Sequence, residues 1–88
     1  MNREQEQNFL NNVNTFLKLK GKGKKYLAEQ CELSYSTIKR IFQRNRIKNV
    51  KFNTVYNIAK ITGISIEVLL NKNIDYKTME KLVYKYNL

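Results

Sequence analysis

The sequence predicts an all-α domain of six helices, and three observations carry that expectation. Apolar residues recur at i, i+3 and i+4 in successive stretches, the spacing that gathers them on one face of a helix. Hydroxyl or carboxylate residues (Ser34, Ser65, Asp75) stand where helices would open, and Gly21, Gly23 and Gly63 stand where they would close. Eighty-eight residues make one domain with a small core, near the lower size at which a chain folds without staples.

The first helix is expected over residues 4–20, with Phe9, Leu10, Val13, Phe16 and Leu17 inward and its Asn, Gln and Lys residues outward. Residues 24–44 read as two short helices joined by a tight turn. In the first of these, Leu27, Ala28 and Cys31 form one apolar stripe with Lys25, Glu29 and Gln30 facing away. Ser34 can accept from the free amides of the next first turn, and Ile38 and Ile41 then repeat at helical spacing up to Arg44. Residues 45–51 form a polar, basic connector. Phe52, Val55, Tyr56 and Ala59 restore an apolar face that Thr62-Gly63 ends, and a short helix after Ser65 turns Ile66, Leu69 and Leu70 inward. Asp75 caps a last helix, Tyr76 to Tyr86, whose stripe is Met79, Leu82, Val83 and Tyr86. Because five helices can close a core, this stripe either packs back on its own domain or forms a dimer or partner contact. The expected division is therefore 1–72 for the main domain and 73–88 for a carboxy-terminal element.

Composition excludes several classes of function. A lone cysteine makes no internal disulfide, and the absence of histidine removes the usual metal-site clusters, so no metal or cofactor is expected. One aspartate and no placed pair of acids speak against an enzyme. No apolar run approaches the ~18 residues of a membrane span, and the amino terminus lacks a signal-peptide pattern, which predicts a cytoplasmic protein that does not engage membranes. Cys31, on an apolar stripe, reads as core packing.

Charge points the other way, towards a partner. The formal net charge is +10, and residues 18–51 hold eleven basic groups against Glu29 and Glu32, a net +9, leaving +1 for the other 54 residues. A single-sign field confined to one segment is the footprint of nucleic-acid binding. Within it, the helix from Ser34 to Arg44 carries Ile38, Ile41 and Phe42 on one edge and Tyr35, Ser36, Lys39, Arg40, Gln43 and Arg44 on the other. The second edge is rich in hydrogen-bond donors and has no acid, which suits the acceptor-rich base edges and phosphates of duplex DNA. Lys22, Lys24 and Lys25 cluster at the preceding helix start, where free backbone amides also favour anions.

On the stretches Lys24-Lys-Tyr-Leu-Ala-Glu-Gln, Leu33-Ser-Tyr-Ser-Thr-Ile-Lys-Arg-Ile and Val55-Tyr-Asn-Ile-Ala-Lys-Ile-Thr-Gly-Ile-Ser-Ile-Glu-Val-Leu-Leu70, residues 9–70 resemble the phage repressor and Cro helix-turn-helix family. The resemblance implies a five-helix repressor-like domain, here followed by a sixth helix. The chain departs from the family pattern at four places. Glu32 occupies the turn position usually held by glycine, Lys24 replaces a phosphate-touching glutamine, and Arg44 replaces a glycine after the third helix. Leu17 and Phe42 stand where relatives often carry a salt-bridged arginine and glutamate, and an apolar pair in place of a buried ion pair can be neutral or stabilising.

Carried over residue by residue, the resemblance implies that Tyr35, Ser36, Lys39 and Arg40 read bases in the major groove. Arg40 is the leading specificity determinant, since its fork can bond O6 and N7 of a guanine. Lys24, Lys25, Thr37, Gln43, Arg44, Arg46 and Lys48 would hold phosphates. The expected function is a homodimeric repressor of transcription binding an inverted repeat in double-stranded DNA. The alternative is an antitoxin or adaptor whose carboxy-terminal helix binds another protein.

Overall fold

The computed structural model describes residues 1–44, 47 and 50–86, with side chains through Tyr84. Those residues form six helices and no strand: α1 (Arg3–Lys20), α2 (Lys24–Cys31), α3 (Tyr35–Arg44), α4 (Phe52–Thr62), α5 (Ile66–Asn71) and α6 (Tyr76–Tyr86).

Local chemistry sets the boundaries. Asn2 and Gln5 cap α1 reciprocally, with Asn2 Oδ1 accepting from the Gln5 N–H at 2.8 Å and Gln5 Oε1 accepting from the Asn2 N–H at 3.0 Å. Glu4 and Glu6 in the first turn and Lys18 and Lys20 in the last complement the helix dipole. Gly21, at φ 66°, ends α1 in the left-handed region, and the Lys22 N–H returns to the Leu17 carbonyl at 2.9 Å. Ser34, Ser65 and Asp75 cap α3, α5 and α6, accepting from the amides of Thr37, Val68 and Thr78 at 3.1, 3.2 and 2.7 Å.

The long helix α1 is the hub, packed against α4, α5 and α6, while α2 packs against α3 and α4. One core joins all six helices, with Phe9, Phe16, Leu27, Ile38, Ile58, Leu69 and Met79 among its fully buried members. The inner stripe of α6 is part of it: Met79 is 0% and Val83 5% exposed, and Leu82 is half-buried against the same cluster. The described residues of that stripe therefore pack back on their own chain. Leu17 is buried and Phe42 half-buried against the common core.

Three expectations need correction. Asn12, expected outside, is 0% exposed. Its amide nitrogen donates to the carbonyls of Leu69 at 2.9 Å and Lys72 at 2.7 Å, and its oxygen accepts from the Ile74 N–H at 2.9 Å. Burial is tolerated because the side chain exchanges water for three backbone partners. Phe52, expected inward, is 69% exposed and stacks on Tyr56, with ring centroids 6.3 Å apart. The buried stripe of α4 is Val55, Ile58, Ala59 and Thr62, and Phe52, as first residue of α4, leans towards the amino-terminal end of the helix. The connector, finally, is not wholly polar in its packing: Ile47 is buried, Val50 half-buried, and the Ile47 N–H donates to the buried Glu6 carboxylate at 2.8 Å.

Candidate nucleic-acid interface

The turn between α2 and α3 is made by Glu32 at φ 56° and ψ 39°, the sole non-glycine residue with positive φ among those described. The Glu32 N–H returns to the Glu29 carbonyl at 3.2 Å and the Leu33 N–H to the Ala28 carbonyl at 2.9 Å, so the carbonyls at the end of α2 are satisfied in spite of the missing glycine. This turn sets α3 with Ile38 and Ile41 buried in the core and its opposite edge in solvent.

Along that outer edge Tyr35, Ser36, Lys39, Arg40, Gln43 and Arg44 are exposed, and Thr37 is half-buried. Ser34 Oγ lies 3.1 Å from Ser36 Oγ and 2.7 Å from Thr37 Oγ1, so three hydroxyls form a chain at the start of α3. The expected contact residues separate into two groups. Lys24, Tyr35, Lys39 and Gln43 come together with Asn14 and Phe42 around a shallow groove between α1, α2 and α3. Arg40, Arg44 and Thr37 border a second recess beside the start of α4. Lys25 on α2 and Ser36 on α3 are exposed and line neither. Arg46 and Lys48 lie outside the described residues.

Several of the ammonium groups rest on rings. Lys24 Nζ is 5.3 Å from the Phe42 ring centre, Lys39 Nζ 6.0 Å from that of Tyr35, and Lys22 Nζ 5.4 Å from that of Tyr26. Such contacts contribute roughly 0.5–1 kcal/mol each at exposed sites. They restrain the side chain without neutralising it. None of the described cations between residues 18 and 51 is ion-paired; the ion pair between Arg3 and the buried Glu6, at 3.9 Å, lies outside that segment. The field of this face therefore stays open to an anionic partner.

Of the residues assigned to a dimer or partner, Met79 and Val83 are buried in their own chain, Leu82 is half-buried, and the Tyr86 side chain lies outside those described. Sequence reasoning missed Asn14, whose outward position on α1 gave no sign that it borders the α3 groove, and Val50, Lys51 and Thr54 of the second recess. Cys31 is half-buried and packs against the core, and burial pushes its thiol above the ordinary cysteine value. No cluster of three potential metal ligands occurs among the described residues, and no helix there is long and apolar enough to cross a membrane.

No family model, curated protein or solved structure matches the chain in comparison with known proteins.

Proposed function

We propose that the protein is a sequence-specific DNA-binding regulator of transcription, a cytoplasmic repressor that binds an inverted repeat as a homodimer. The observation that carries this reading is the outer edge of α3: a row of exposed, acid-free donors with no ion pair, held in place by Ile38 and Ile41 on the buried edge. The ten residues of α3 extend about 15 Å along the helix, and a helix diameter of roughly 10–12 Å matches a major groove about 12 Å wide. Arg40 reads a base, Tyr35, Ser36 and Lys39 flank it, and the groove around Lys24 and Gln43 receives the phosphate backbone.

One helix reads few base pairs, so a second copy bound roughly one helical turn (~34 Å) away supplies the rest of the specificity. Met79 and Val83 are used inside their own chain, and the second copy accordingly meets a different surface. Repression is steric, by occupation of the promoter.

Selection of bound sequences from a random duplex pool, at two salt concentrations, tests the reading. An inverted repeat with a steep fall in affinity as salt rises is expected. On the selected site, Arg40→Ala costs about 1–3 kcal/mol and relaxes the preference at one base pair. A pool that stays random while binding persists would reduce α3 to an electrostatic face.

A further inference from the structure

The recess beside the start of α4 has a composition that a phosphate contact alone does not require. It is a cavity of about 340 Å³, within the range of small-molecule sites. Its apolar lining is Ile41 and Val50, the first buried and the second half-buried. Around these stand Arg40, Arg44 and Lys51, with the hydroxyl-bearing Thr37 and Thr54. Among the described residues no acid lines the cavity, and none of its three cations is ion-paired. The Thr37 hydroxyl is engaged with Ser34, whereas that of Thr54 has no hydrogen bond among the described residues. Three unspent cations and a free hydroxyl beside an apolar lining match a ligand with two parts, one polyanionic and one flat or apolar.

We infer that this recess binds a small phosphorylated molecule of the nucleoside diphosphate class. Its diphosphate meets Arg44, Lys51 and the Thr54 hydroxyl, and its base lies over Ile41 and Val50, where the planar guanidinium of Arg40 can stack on it. A convex duplex offers a phosphate to the rim of such a recess but has nothing flat to fill it. Since Arg40 also belongs to the proposed base-reading edge, occupancy of the recess withdraws it from DNA. Only this regulatory consequence rests on the DNA-binding reading; the site itself does not.

Calorimetric titration of the full chain with ADP at fixed salt tests the inference, with adenosine and inorganic pyrophosphate as separated halves of the ligand. ADP is expected to bind once per chain and more tightly than either half. Lys51→Ala weakens it about tenfold, as loss of a charge-assisted contact should. Thr54→Val weakens it less, and Lys18→Ala, a cation lost from outside the recess, leaves it unchanged. Saturating ADP then lowers affinity for the selected duplex. Pyrophosphate binding as tightly as ADP, or equal losses from Lys51→Ala and Lys18→Ala, would overturn the site in favour of a diffuse field. Duplex binding with no ADP binding would overturn it too and make the recess part of the DNA face. ADP binding without duplex binding sustains the site and removes the DNA reading, and binding of neither removes both.

Discussion

The α1 face that meets α5 and the outer edge of α3 are both rich in polar side chains, and they use them in opposite ways. On α1, Gln5, Asn8 and Asn12 recur at helical spacing and each reaches across to the end of α5: Gln5 to the Asn71 side chain at 2.8 Å, Asn8 to the Leu70 carbonyl at 2.9 Å, and Asn12 to Leu69, Lys72 and Ile74. Their hydrogen bonds are made within the chain, and they close the otherwise open end of a six-residue helix. On α3, the donors are exposed, Lys39 lies over the Tyr35 ring, and their charges share one sign. Polar groups that are satisfied internally stabilise a fold. Polar groups of one sign left unsatisfied are available to a partner.

The largest test of this contrast replaces Asn12 by Asp. The carboxylate keeps the acceptor for Ile74 but loses both donations and turns a buried charge towards the carbonyls of Leu69 and Lys72. Urea unfolding should show a loss of about 3–5 kcal/mol, the scale of an uncompensated buried charge. A loss below ~1 kcal/mol would mean that water replaces the donor and that the amide is no clamp. Next comes Met79→Ala, which removes a fully buried side chain of α6 and should cost about 2–5 kcal/mol. A negligible cost there would return the α6 stripe to the status of a surface awaiting a partner.

A gain is expected in the other region. Glu32 holds a left-handed conformation at the end of α2, a state that costs a residue with a Cβ roughly 1–2 kcal/mol. Glycine removes that strain but adds freedom to the unfolded chain worth about 0.4–1 kcal/mol, so Glu32→Gly should stabilise by a net ~0.5–1 kcal/mol. Removal of an acid beside the carboxyl end of α2 acts in the same direction. Unchanged or lowered stability would show that the glutamate side chain contributes to the turn.

Much of this architecture is legible in the sequence because helix boundaries are local. Ser34, Ser65 and Asp75 cap the helices that follow them, and Gly21 and Gly63 adopt the positive φ that stops those before. The outer edge of α3 is readable for the same reason, since Ile38 and Ile41 leave a single way to face. Asn12, Glu6 and Ile47 are not legible, because periodicity sorts residues by polarity and cannot see that a backbone amide or carbonyl from 41 to 62 residues away satisfies a buried one. Phe52 fails differently: its spacing from Val55, Tyr56 and Ala59 is right, but nothing in the spacing says that the core stops before the first turn of α4. The recess at Arg40, Lys51 and Thr54 joins two helices across the connector and has no signature within either.

The smallest effect concerns pH and one cap. Asp75 accepts the Thr78 N–H at 2.7 Å, and that bond, with a further one from the Thr78 hydroxyl, holds its carboxyl below the ordinary aspartate value; Lys77 and Lys81 act in the same direction. Because the folded value lies below the unfolded one, the cap is at full strength above the unfolded value and is lost as pH falls through the folded value. Acidification should therefore loosen the first turn of α6, read as lowered protection of the Thr78 amide after correction for intrinsic exchange, while the amides of Phe9 and Val13 in α1 keep theirs. Asn caps about as well as Asp and does not titrate there, so Asp75→Asn should retain Thr78 protection across the same range. If wild type and Asp75→Asn lose protection together, the acid-sensitive group lies elsewhere.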